Sequence, residues 1–107
     1  AIIGILAAIA IPQFSAYKDR AYNSDSQASL HNLFLACKAY WADNGATANC
    51  TSAGVTNATY GYTDSAAVAI TDGGTLTETG YTATAINSAG GNANGYGIDA
   101  AGAISAL

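Results

Sequence analysis

Few side chains in this chain could do chemistry, and their spacing argues against most of it. His31 is the only histidine among 107 residues, so neither a histidine-based triad nor a histidine-rich metal site can be assembled. The two cysteines, Cys37 and Cys50, lack the spacing of zinc pairs, and no further Cys or second His completes a set. The carboxylates Asp64, Asp72, Glu78 and Asp99 are scattered through turn-rich sequence. They could converge on calcium, but Asp72 and Asp99 are explained by turn chemistry, and solvated turn carboxylates are the simpler reading. Gly73-Gly74 and Gly90-Gly91 are not phosphate loops, because no lysine follows and no strand–loop–helix frames them. Asn49-Cys50-Thr51 and Asn57-Ala58-Thr59 match the acceptor pattern for N-linked glycans, a pattern that chance often produces in a Thr-rich chain. Neither a nucleophile–base pair nor paired carboxylates can be drawn from one histidine and turn acids. The expectation is a protein that is not an enzyme, with no cofactor and no metal.

Charge narrows the partners. Only 9% of residues are charged and the net charge is −4. The cations Lys18, Arg20 and Lys38 form no patch, and the first two flank Asp19. Tracking a phosphate backbone needs more than this, so no nucleic acid is expected. Abundant Ala, Gly, Ser, Thr and Asn suit an extracellular, assembly-prone surface.

The elements that must position these residues follow from hydropathy. Ala1-Ile-Ile-Gly-Ile-Leu-Ala-Ala-Ile-Ala-Ile11 is apolar and uncharged, and Pro12 follows it. Hiding Ile2, Ile3, Ile5, Leu6, Ile9 and Ile11 from water is worth about 1.5–3 kcal/mol each, roughly 9–18 kcal/mol together. That rivals the stability of a whole domain, about 5–15 kcal/mol. Such a stripe belongs in lipid, in a core or against other subunits. As a helix it rises only about 17 Å, so a membrane span would need about ten more residues upstream.

Residues 13 to 43 read as one helix. Leu30, Leu33, Phe34, Cys37, Tyr40 and Trp41 recur in steps of three and four along one stripe. Asp19, Asn23, Asp25, Gln27 and Lys38 mark the opposite face. Asp43-Asn44-Gly45 ends the helix with a left-handed glycine cap. Pro12 removes a backbone donor, and with Gly4 upstream the span between them is the weakest, so a kink or local melting is expected there. Residues 44–65 read as a loop. Strands are expected at 66–71, at 76–87 after an Asp72-Gly73-Gly74 hairpin signal, and at 96–99 and 103–107 around the Ala100-Ala101-Gly102 turn. Large apolar side chains are sparse beyond residue 45, and a core that thin calls for a cross-link. A Cys37–Cys50 disulfide would supply about 3 kcal/mol and implies an exported protein. The alternative is two free buried thiols. The fold class is therefore α+β: a long N-terminal helix, kinked or melted near Pro12, whose second half backs a small antiparallel sheet of three to four strands.

At this level of detail the residues resemble a family. The run from Ala1 through Pro12-Gln13-Phe14, continued by Ser15-Ala16-Tyr17 and Arg20-Ala21-Tyr22-Asn23-Ser24, resembles the N-terminal helix of type IV pilins, starting about ten residues into the mature form. Gly80-Tyr81-Thr-Ala-Thr-Ala-Ile86, Tyr96-Gly-Ile-Asp99 and Gly102-Ala-Ile104 look like that family's closing strands. Residues 44–75 carry no likeness. The family's processed N-terminal residue and the glutamate near it would precede Ala1.

The resemblance implies a structural subunit of an extracellular helical filament. It would be held in the inner membrane before assembly, handled by pilus assembly machinery, and then packed through its helix against identical copies. The expected interface is Ile2, Ile3, Ile5, Leu6, Ile9, Ile11, Phe14 and Tyr17, with the helix break at Gly4 and Pro12, and small residues there would let helices approach closely. Residues 1–24 would be the apolar rod and 25–107 the globular part. Type II secretion pseudopilins share this pattern and are the nearest rival, followed by a membrane-anchored binding module. Aromatics at Phe14, Tyr17, Tyr22, Phe34, Tyr40 and Trp41 could conduct electrons in such filaments; packing area is their simpler role.

Overall fold

A computed structural model describes the backbone of residues 2–63 and 65–107, and the side chains of residues 16–63 and 65–107. The chain is α+β. Helix α1 spans Ile2–Asn44, 43 residues or about 65 Å of rise, and is followed by the single turn α2, Ser52–Val55. Strands β1 (Val68–Gly74), β2 (Tyr81–Asn87), β3 (Tyr96–Ile98) and β4 (Ile104–Ala106) form one antiparallel sheet in the order β1-β2-β3-β4.

The three- and four-residue periodicity of α1 is what the sheet reads. Leu30, Leu33, Cys37 and Trp41 are buried, and Phe34 and Tyr40 pack against them. Along β2 the pleat turns Tyr81, Ala83, Ala85 and Asn87 toward the helix and Thr82 and Ile86 to solvent. Tyr81, Leu30, Leu33 and Val55 are among the largest side chains to lose all contact with water. Trp41 and Tyr81 meet edge to face with ring centroids 5.5 Å apart. The helix stops where the sequence says it should. Gly45, at φ 97°, closes it by donating its N–H to the Trp41 carbonyl (2.8 Å).

The helical backbone is continuous from Ile2 through Gly4 and Pro12, and no break is shown there. The side chains of Gly4, Pro12 and the apolar run lie outside the described residues.

Three expectations are corrected. The hairpin signal Asp72-Gly73-Gly74 is not a turn: these residues close β1. Asp72 faces the helix side instead, where its carboxylate accepts both the N–H (3.0 Å) and the Oγ–H (2.9 Å) of Ser52, and the Tyr81 hydroxyl. The turn falls at residues 75–80, so the second strand begins at Tyr81, not at residue 76. Its loop is fixed by Cys50 N–H on Leu76 C=O (2.8 Å) and Glu78 N–H on Ala46 C=O (3.0 Å). Gly74 sits at φ 68° where a Cβ would collide with the Gly80 carbonyl, which is why glycine is required at this corner. Residues 44–65 are not merely a loop, since Thr51 caps α2 by accepting the Gly54 N–H (3.1 Å) and Val55 is buried. On the face opposite the stripe, Asn23 and Asp25 are half-buried and hold the 87–92 turn.

Candidate functional site

The region of interest is where α1 leaves the sheet. From Ser26 onward the helix buries Ser26, Ser29 and the apolar stripe; toward the N-terminus, residues 16–21 are exposed. The boundary is a polar clasp. Asn23 Oδ1 accepts the Asn92 N–H (2.7 Å), and Asp25 Oδ2 accepts from Ser65 Oγ and Asn87 Nδ2 (both 3.3 Å). Gly90 lies against the Tyr22 ring, close enough that a Cβ there would come within 2.7 Å of it. The clasp positions the last anchored turn of the helix at Tyr22–Asp25, and the described residues ahead of it, 16–21, are exposed. Sequence reasoning missed these contacts because Asn and Asp on a helix usually mark its wet side; the Ser88–Asn94 turn was visible, but not what it would dock on.

Tyr17, the one predicted interface residue whose side chain is described, is 63% exposed, with the Arg20 guanidinium 5.8 Å from its ring centroid. Ile2, Ile3, Ile5, Leu6, Ile9, Ile11 and Phe14 lie outside the described side chains. Cys37 and Cys50 form the expected disulfide, with Cα atoms 5.8 Å apart and both residues fully buried. The bond pins the start of the 44–65 segment to α1, helped by Trp41 Nε1–H on the Ala48 carbonyl (2.9 Å).

The other candidates do not converge. His31 is exposed on α1. Asp72 belongs to the Ser52–Tyr81 knot, and Glu78 pairs with Lys38 (3.8 Å) at the surface. Asp99 behaves as a turn residue, as expected, its Oδ1 accepting from Ala101 N–H (3.0 Å) and Ala103 N–H (2.9 Å). Asp64 is outside the described residues. Among the described residues no group of three His, Cys, Asp or Glu could hold a metal ion. Asn49 and Asn57 are both exposed, and the Asn57 amide shapes its own turn through Gly54, Thr59 and Tyr60. Burial, reinforced by the hydrogen bond to Asp72, pushes the Tyr81 phenol well above the usual tyrosine range. That group is a structural knot, sealed from any substrate.

Tyr40 and Tyr60 meet edge to face at 5.5 Å, and Lys38 lies over Phe34 (5.2 Å) and Trp41 (5.9 Å). The Tyr40–Tyr60 pair ties the 44–65 segment to the helix, and the Lys38–Glu78 ion pair ties the 75–80 turn to it.

In comparisons with family models, curated proteins and solved structures, nothing matches this chain. Among the described residues no helix is long and apolar enough to cross a membrane.

Proposed function

We propose that this chain is a structural, non-enzymatic subunit of an extracellular type IV pilus-like filament, assembled by packing the apolar N-terminal segments of identical copies. The observation that carries the reading is one of layout. A single helix runs from the apolar sequence into the sheet domain, and its described turns ahead of the clasp are exposed, with Tyr17 bare. A stripe that large needs cover, and a water-excluding setting is provided first by lipid and later by neighbouring copies. The resemblance of residues 1–24 to pilin helices supports the same role, as does the disulfide, which suits an oxidising location. In this reading the Gly4–Pro12 span is where the helix bends or melts as copies come together.

Electron microscopy of the purified protein tests it, and filaments are expected. Replacing Ile5 or Leu6 with Asp should abolish them while leaving the thermal melt of the sheet domain unchanged. Filaments that survive either replacement would overturn the proposal.

A further inference from the structure

Two segments carry the Asn-X-Thr pattern, and the fold treats them differently. Asn49-Cys50-Thr51 is pinned along its length. The Cys50 N–H donates to the Leu76 carbonyl (2.8 Å), its sulfur is bonded to Cys37, and Trp41 holds the Ala48 carbonyl just before it (2.9 Å). The Thr51 hydroxyl is engaged in capping α2, where it accepts the Gly54 N–H (3.1 Å). Asn57-Ala58-Thr59 lies instead in the exposed stretch 56–59. Among the described residues the Thr59 hydroxyl meets no hydrogen-bonding partner, and Thr59 gives the turn only its N–H.

The asparagine itself is presented. Asn57 Oδ1 accepts the N–H groups of Thr59 and Tyr60 (both 3.0 Å), an Asx turn that fixes the carboxamide. Its Nδ2 donates one hydrogen to the Gly54 carbonyl (3.1 Å), which leaves the second for replacement. Beside it lies a shallow concavity lined by Thr56, Ala58, Gly61, Tyr62 and Thr63, none of them charged. Gly61, at φ 74°, brings no side chain to it and borders open space. A small uncharged surface of that kind suits a sugar ring.

We propose that Asn57 is an N-linked glycosylation site, taking an uncharged sugar from a diphosphate-linked donor, and that Asn49 is left bare. A transferase that reads Asn-X-Thr needs both the amide and the threonine hydroxyl within reach, and only the second segment offers both. In the transfer, Nδ2 bonds to the anomeric carbon of the sugar. The bond from that carbon to the phosphate oxygen breaks, and the diphosphate leaves with the electron pair. One amide proton passes to a base of the transferase, and the other stays to serve the Gly54 carbonyl. The reaction requires an exported chain, for which the Cys37–Cys50 bond argues, and it stands whether or not the chain forms filaments.

Mass spectrometry of the full chain, purified from the cells that make it, tests the assignment. Chymotrypsin after reduction yields a peptide of residues 42–60 that holds both candidates. Fragmentation should place carbohydrate on Asn57 and none on Asn49. Thr59→Ala should lose the carbohydrate while the thermal melt is unchanged, because the turn uses the Thr59 backbone alone. Thr59→Ser, which restores a hydroxyl, should keep it, and so should Thr51→Ala. A bare Asn57, carbohydrate on Asn49 or Thr59, carbohydrate that survives Thr59→Ala, or its loss in Thr51→Ala would each overturn the proposal.

Discussion

The Tyr81 hydroxyl gives the sharpest test of how this fold is held. Tyr81 is fully buried against Trp41, and its hydroxyl donates to Asp72, which also gathers the N–H and Oγ–H of Ser52. Tyr81→Phe removes one charge-assisted bond from a carboxylate that keeps its other partners. The expected loss is about 2 kcal/mol near neutral pH. The pH dependence adds a signature that cavity or packing effects cannot imitate. An unfolded tyrosine ionises near pH 10, whereas burial holds Tyr81 neutral in the fold well beyond that. The stability contributed by the neutral phenol is therefore complete below about pH 10. As pH rises further it is lost at about 1.4 kcal/mol per pH unit, because only the unfolded chain releases the proton. The wild type should thus lose its advantage over Tyr81→Phe between about pH 11 and 12. Urea titrations read through Trp41 fluorescence, from pH 7 to 12, measure the difference; the remaining tyrosines affect both chains alike. Parallel stability curves over that range would refute the reasoning.

Two further outcomes follow from the geometry. Replacing both Cys37 and Cys50 with Ala should cost about 3 kcal/mol in urea unfolding, as expected for a cross-link closing a short loop, here with a sequence separation of 13. Gly74→Ala should destabilise by about 2 kcal/mol or more, since the new Cβ meets the Gly80 carbonyl in a left-handed backbone; a shift in the urea midpoint matching a surface substitution would disprove the contact.

What the sequence revealed was what repeats or caps locally. The Leu30–Trp41 stripe and the glycine at 45 each declare themselves within a few residues, and both stand in the structure. The disulfide was legible for another reason: few large side chains follow residue 45, so a cross-link was needed. The misread turn shows the limit. Asp72-Gly73-Gly74 has turn composition, but the carboxylate is claimed by Ser52, 20 residues earlier, and by Tyr81, so tertiary bonding overrides the local preference. The clasp at Asn23 and Asp25 was hidden in the same way, because its partners Asn87 and Asn92 lie more than 60 positions away. The candidate site is half visible: its anchoring turn is described, and its apolar part remains a reading of residue types.

The Cys37–Cys50 bond also makes a covalent ring of residues 37–50, and that ring contains the exposed stretch Asn44–Thr47. A protease that clips the chain there opens a loop without releasing a fragment, because both halves stay joined through sulfur. The equally exposed stretch Thr56–Thr59 lies outside the ring, where one cut severs the long helix from the strands and leaves only non-covalent contacts to hold them. Two neighbouring segments with the same exposure therefore differ in what damage does: one tolerates a nick, the other disconnects the subunit.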